Sequence, residues 1–331
     1  MCSQRLEVAI FASHKEPTLT PSRCFSWRGM GRPAVQLMRR QTLGLALATS
    51  SAAALRARAA AEVSDDRALF WNIGSGTSAS TIFGYSRIAA SLVPDIVDAG
   101  TKRATAAKWV IQDLPSSVTL PPIKLDPSLP PVIGKLDAKT ADAFRGVVQQ
   151  SFPQLLPTVD KMVGIEATML LMAEGQTPPN PTVGGTIVEH ALQAGRRSTI
   201  LISDAELRGM VFPSSLTAFD KRIGQDTIAY MLDLRAKDGA IGRQFERLYA
   251  ARRSGDIHSL AADLSTRGAF SPAQMLNGDA IKLILTGRLG AALKRNEVDS
   301  AFALLPLDAL LGGDGILAAL RKGGNTVTAA A

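Results

Sequence analysis

A few short apolar runs, set apart by long stretches of helical spacing, constrain this chain more than any other feature. Residues 68–74 (Ala-Leu-Phe-Trp-Asn-Ile-Gly) and 78–84 read as two strands joined by the turn Ser75-Gly76-Thr77, which makes an opening hairpin. Residues 108–112, 198–203 and 302–305 read as further short strands, and 326–328 adds a last one. Between them the apolar residues recur with helical spacing, as at Leu92, Ile96, Val97 and Ala104. Residues 138–175 read as two helical pieces broken at Pro153 and Pro157, 185–194 as one helix, and 314–322 as a helix closed by Gly323-Gly324. A Pro-rich stretch over 114–137 reads as an extended surface connection. Short strands among long helical stretches predict an α/β domain, or an α+β one, with a small central sheet covered by many helices.

The chain is long enough to bury a sizeable core, with 331 residues of which 46 % are apolar. Its formal charge of +8 invites a nucleic-acid reading, but the distribution argues against one. Residues 1–61 hold nine Arg and Lys and two acids; residues 62–331 hold 28 basic and 27 acidic side chains. The excess charge therefore belongs to the amino-terminal region, as do both cysteines, Cys2 and Cys24. The rest of the chain has no thiol for a disulfide or a thiolate metal site.

That region has the layout of an export signal. The pair Arg39-Arg40 precedes an apolar run reaching about Leu55, and Ala59-x-Ala61 fits a small-residue cleavage site. Paired arginines favour the twin-arginine route. Initiation at Met30 or Met38 would place them near the start. The apolar run is about 14 residues, short of the ~20 that a membrane span needs. Residues 1–61 thus read as a leader and 62–331 as the mature domain, periplasmic or secreted, with no later segment apolar enough to cross a membrane.

The familiar catalytic patterns are missing. The chain has no G-x-S-x-G, H-E-x-x-H or G-x-x-x-x-G-K-[ST]. After the leader only His190 and His258 remain, and each falls on the polar side of a helical pattern, where it reads as solvent-facing. No cofactor is expected. A strand that stops at Gly84 and presents Tyr85, Ser86 and Arg87 at its tip is the better site candidate, because polar groups at the ends of rigid strands often carry function.

Taken in order, these segments resemble the TraB/GumN family, which is related to the TIKI-type metalloproteases. Residues 68–73 and 80–84 are similar to that family's opening hairpin, and Trp109-Val110-Ile111-Gln112 to the strand that follows. Gly164-Ile165-Glu166 with Leu170 is similar to its Gly-Val-Asp element, and Ser254-Gly255-Asp256-Ile257 to a Gly-Asp element heading a helix. Arg288 matches the arginine of its Arg-Asn element, and residues 314–327 its closing helix and strand. The likeness covers about residues 66–328.

The departures concern chemistry. Arg87 stands where the first Gly-x-x-His motif would place histidine, and the second motif falls at 306–309, where Asp308 is the polar residue. The acid expected after the first core strand aligns with Gln112. Arginine is no metal ligand at ordinary pH, and glutamine is no general base. The resemblance implies a TraB/GumN-like envelope protein that has lost catalysis and binds a ligand or a protein partner. The competing expectation is a divergent hydrolase or peptidase built around Gly84, Tyr85, Ser86, Arg87, Gln112, Arg288 and Asp308. In either case Arg87 and Arg288 would suit a carboxylate group.

Overall fold

The computed structural model describes residues 64–75, 78–114, 126–210, 213–269, 278–295 and 300–330. The expected leader with Arg39, Arg40, Ala59 and Ala61, the tip of the hairpin turn and much of the Pro-rich connection lie outside these residues. The domain is α/β. Six strands form one mixed sheet: β1 (Phe70–Ser75), β2 (Ser78–Tyr85), β3 (Trp109–Gln112), β4 (Arg197–Ile200), β5 (Ala301–Pro306) and β6 (Thr326–Ala330), in the order β4-β3-β5-β2-β1-β6.

The hairpin is antiparallel, with Phe70 opposite Phe83 and Trp71 opposite Ile82. β6 closes the other side of β1, also antiparallel. β2, β5, β3 and β4 run parallel, so their carboxyl ends share one edge of the sheet. β5 lies between β2 and β3 although it comes some 190 residues after β3 ends (Gln112 to Ala301). Its first five residues are all buried, as a central parallel strand requires. β4, at an edge, is largely exposed.

Side-chain parity sorts the helices onto the two faces. Phe70, Phe83 and Phe302 stack in a row across β1, β2 and β5, at 4.9 and 6.2 Å between ring centroids. Over that row lies α1 (Pro94–Ala106), whose Arg103 guanidinium sits 4.3 Å above the Phe70 ring. α1 approaches α4 (Val183–Gln193) so closely that a Cβ on Gly100 would lie 2.4 Å from Ile187 Cδ1. Trp71 and Gly84 point to the opposite face, toward α11 (Leu307–Leu310).

A second apolar core is wholly helical. It joins α2 (Ala138–Ser151), the 3-10 segment Pro153–Lys161, α3 (Gly164–Ala173), α6 (Pro213–Asp220) and α7 (Gln225–Asp238). The break expected at Pro153 and Pro157 is this 3-10 segment between α2 and α3. The element resembling Gly-Val-Asp is the start of α3. There Glu166 accepts from the Val163 N–H at 3.1 Å, and the buried Asp220 accepts from Ile165 N–H at 2.7 Å. These carboxylates serve the helix terminus. The expected strand at 198–203 ends at Ile200 and turns into α5 (Asp204–Met210). The remaining helices are α8 (Ile241–Ala250), α9 (Ser254–Thr266), α10 (Gly278–Arg295) and α12 (Ile316–Lys322).

Glu174, 3 % exposed, anchors the helical core. Arg235 grips it with two donors at 2.6 and 2.7 Å, and Ser151 Oγ adds a third at 2.7 Å. Removing one partner from a buried pair strands the other charge. Arg235→Ala should therefore lower stability by about 3–5 kcal/mol, read from urea denaturation. Arg235→Lys should recover only part of the loss, because one ammonium cannot replace the two-pronged fork.

Candidate functional site at the carboxyl edge of the parallel strands

Three strand ends meet at this edge. Tyr85 ends β2, Asp113 directly follows β3, and Asp308 lies in the turn of helix that follows β5. Because β5 separates β2 from β3, the ends of the outer two are about 10 Å apart at normal strand spacing. The long Tyr85 side chain crosses that gap. Its hydroxyl donates to Asp113 Oδ2 at 2.5 Å.

The tip of β2 is held on all sides. Tyr249 of α8, fully buried, donates to the Gly84 carbonyl at 3.2 Å. A Cβ on Gly84 would lie 2.7 Å from Leu307 Cδ1 and 3.0 Å from Trp71 Cζ3, so only glycine fits without displacing them. Tyr85 packs against the first turn of α4, where a Cβ on Gly184 would be 3.6 Å from its ring. The loop beyond Tyr85 is sewn to the same turn: Ala90 N–H donates to Pro181 O and Val183 N–H to Ile88 O, both at 3.0 Å.

The electrostatics are those of acids kept from water. Burial pushes the Asp113 carboxyl up to about 7, against the downward pull of the Tyr85 hydroxyl and the Leu114 N–H; the nearby Asp308 adds to the rise. Burial raises the Tyr85 phenol as well, and the Asp113 charge raises it further. Asp308 is exposed to solvent, yet protein crowds its carboxyl. That crowding lifts its carboxyl, while the backbone N–H groups of Asp308 and Ala309, with His258 and Lys282, oppose the rise. Arg87 is exposed at the rim, within electrostatic reach of Tyr85. Among the described residues neither Asp113 nor Asp308 is ion-paired.

Tyr85, Arg87 and Asp308 are thus brought together, and Ser86 lies in the same tip loop. Gln112 is 6 % exposed, and its carbonyl accepts from Leu201 N–H at 2.8 Å in the pairing with the β4 end. Arg288 is not part of the group. It lies at the end of β4, about 14 Å from the β2 end at normal strand spacing. There it donates to Leu201 O at 2.5 Å and to both Glu206 oxygens at 2.6 and 3.0 Å, holding the Glu206 carboxyl down to about 2. Glu206 also caps α5 through Ser203, so this arginine fastens a helix terminus to the sheet.

Sequence reasoning passed over Asp113 and Tyr249, and read His258 as solvent-facing. The signal for Asp113 was adjacency: it follows Gln112, the position matched to the expected acid, and consecutive strand residues face opposite sides. Tyr249 carried no local signal, because its role depends on docking α8 against β2. His258 is half-buried against the Gly312 turn rather than turned to open solvent. Among the described residues, no group of three or more His, Cys, Asp or Glu is placed to hold a metal ion, and no helix is long and apolar enough to cross a membrane. No family model, curated protein or solved structure matches the chain.

The raised Asp113 carboxyl makes stability depend on pH. Below about pH 4 the group is protonated in both folded and unfolded chains. Between about 4 and 7 the unfolded chain releases a proton that the folded one keeps, so stability falls as pH rises, by up to about 4 kcal/mol in all. Asp113→Asn should flatten this decline. Urea midpoints measured from pH 4 to 8 on both proteins check it; parallel profiles would contradict the assignment.

Proposed function

We propose that this chain is a TraB/GumN-like envelope protein, exported by a twin-arginine leader, whose carboxyl-edge cluster binds a ligand or partner without cleaving it. The observation that carries the reading is the Tyr85–Asp113 bond. It ties up the one buried acid of the cluster with a phenol that burial makes harder to ionise. Arg87 occupies the place where the resemblance puts a ligand histidine, and a guanidinium offers donors but no lone pair for a metal. The cluster is equipped to donate and share hydrogen bonds, with Arg87 at its rim suited to a carboxylate. Arg288, engaged with Glu206, supplies no second clamp there.

One observation favours the second reading, a divergent hydrolase or peptidase. A carboxyl near 7 is well matched to general-base work at neutral pH, and Asp113 restores an acid beside the position of Gln112. In that mechanism Asp113 would take a proton from water while Tyr85 donates to the charge that develops on the substrate carbonyl oxygen.

A panel of peptides and esters, assayed from pH 5 to 9 with metal content measured on the same protein, separates the two. The binding reading expects no turnover, together with thermal stabilisation by carboxylate-bearing compounds that Arg87→Ala weakens. Turnover that rises through about pH 7 and disappears in Asp113→Asn would establish the hydrolase instead. Stoichiometric transition metal with peptide cleavage, both lost in Arg87→Ala, would overturn the binding reading outright.

A further inference from the structure

A second concavity lies apart from the strand-edge cluster, and its chemistry is different. It is a cavity of about 290 Å³ between the 3-10 turn Asp65–Arg67, α9, α12 and the turn at Leu311-Gly312. That volume is at the lower end of the roughly 300–1,000 Å³ typical of ligand pockets. Leu310, Leu311, Leu317 and Ala318 make an apolar floor, and Asp66 and His258 stand on the polar wall.

The two neighbouring aspartates are in different states. Asp65 is satisfied: Arg321 meets its carboxylate at 2.7 Å and the Trp71 indole N–H donates to it at 2.9 Å. Among the described residues Asp66 makes no ion pair and no side-chain hydrogen bond. Its position is nevertheless defined. A Cβ on Gly255, in the first turn of α9, would lie 2.8 Å from Asp66 Cβ and Oδ1, so the carboxylate rests against bare backbone. His258 is placed in the same way: its Nε2 lies 3.0 Å from where Gly312, at φ +89°, would carry a Cβ. Around the ring, Asp314 is already paired with Lys282 at 2.6 Å, while Asp308 lies within electrostatic reach. Among the side chains lining the cavity, Asp65 and Arg321 offset each other and Asp66 adds one negative charge, with Arg67 and Arg253 beside Asp66 in the adjoining concavity.

We infer that this cavity binds a small aliphatic amine, with the ammonium between Asp66 and His258 and the alkyl group on the leucine floor. An ammonium would bring Asp66 a cation and the His258 ring a donor, and an alkyl group would pack on the half-buried Ala318. A carboxylate of the same shape would meet Asp66 with like charge. None of Tyr85, Arg87, Asp113 and Asp308 lines the cavity, although Asp308 lies within electrostatic reach of His258.

Titration of the full-length protein with 3-methylbutylamine, followed by NMR, tests it against 3-methylbutan-1-ol and 3-methylbutanoate. The amine should saturate in about the millimolar range, ahead of the alcohol, and the carboxylate should bind at least about tenfold more weakly. Ala318 is half-buried on the floor. Ala318→Phe should fill the space and weaken amine binding about tenfold or more. The exposed Asp66→Asn, which leaves the core untouched, should cost about three- to tenfold and abolish the preference for amine over alcohol. Absence of saturable amine binding would overturn the inference. So would carboxylate binding equal to the amine, or undiminished amine binding in both variants with circular dichroism and Tm unchanged.

Discussion

The insertion of β5 between β2 and β3 is the constraint on which the rest of the structure depends. Pairing Thr81 with Phe302 and Val110 with Phe302 joins segments far apart in the chain, so the ordering entropy of everything between them must be recovered by burial. The recovery is visible in the strand itself, where Ala301, Phe302, Ala303, Leu304 and Leu305 are each at most 3 % exposed. It is visible too in the phenylalanine row that crosses the hairpin and β5. Once β5 is seated, its end delivers Asp308 to the gap between the β2 and β3 ends, and Tyr85 and Asp113 meet across it.

The carboxyl edge works against stability. Two other buried acids have cations: Glu174 has Arg235 as well as Ser151, and Asp220 has Lys135 at 3.7 Å as well as the Ile165 N–H. Asp113, 5 % exposed, has a phenol and a backbone N–H but no cation. A carboxyl held in this state costs free energy at neutral pH. Such arrangements concentrate at functional sites because binding or proton transfer uses the unsatisfied charge. The surrounding packing sustains it: Gly84 admits Leu307 and Trp71, Tyr249 holds its carbonyl, and the first turn of α4 backs the Tyr85 ring.

The arginines show how the same residue type is put to different ends. Arg288 is spent on the cap of α5 and the β4 end, Arg235 on a buried glutamate, and Arg103 on the face of Phe70. Arg321 fastens the start of the domain by joining Asp65 to Val327 O at the far strand. Arg87 stays at the rim beside Tyr85. Which role each takes is set by what lies within a side chain's reach after folding.

The sequence by itself determined the strands, their order along the chain and the hairpin. Short apolar runs bounded by glycine and proline have few other stable states, and a hairpin is a local pairing. It also marked Tyr85, Ser86 and Arg87 as polar residues at a strand tip, whereas Asp308 came to notice only through the family resemblance. Only the tertiary structure decided the order β3-β5-β2, because strands buried on both faces carry no periodic signal for their neighbours. Only it decided that Asp113 rather than Gln112 reaches the cluster, since a one-place shift at a strand end reverses the face on which a side chain emerges. It also separated Arg288 from Arg87: two guanidinium groups interchangeable in sequence lie at strand ends about 14 Å apart, and Glu206 meets one of them alone.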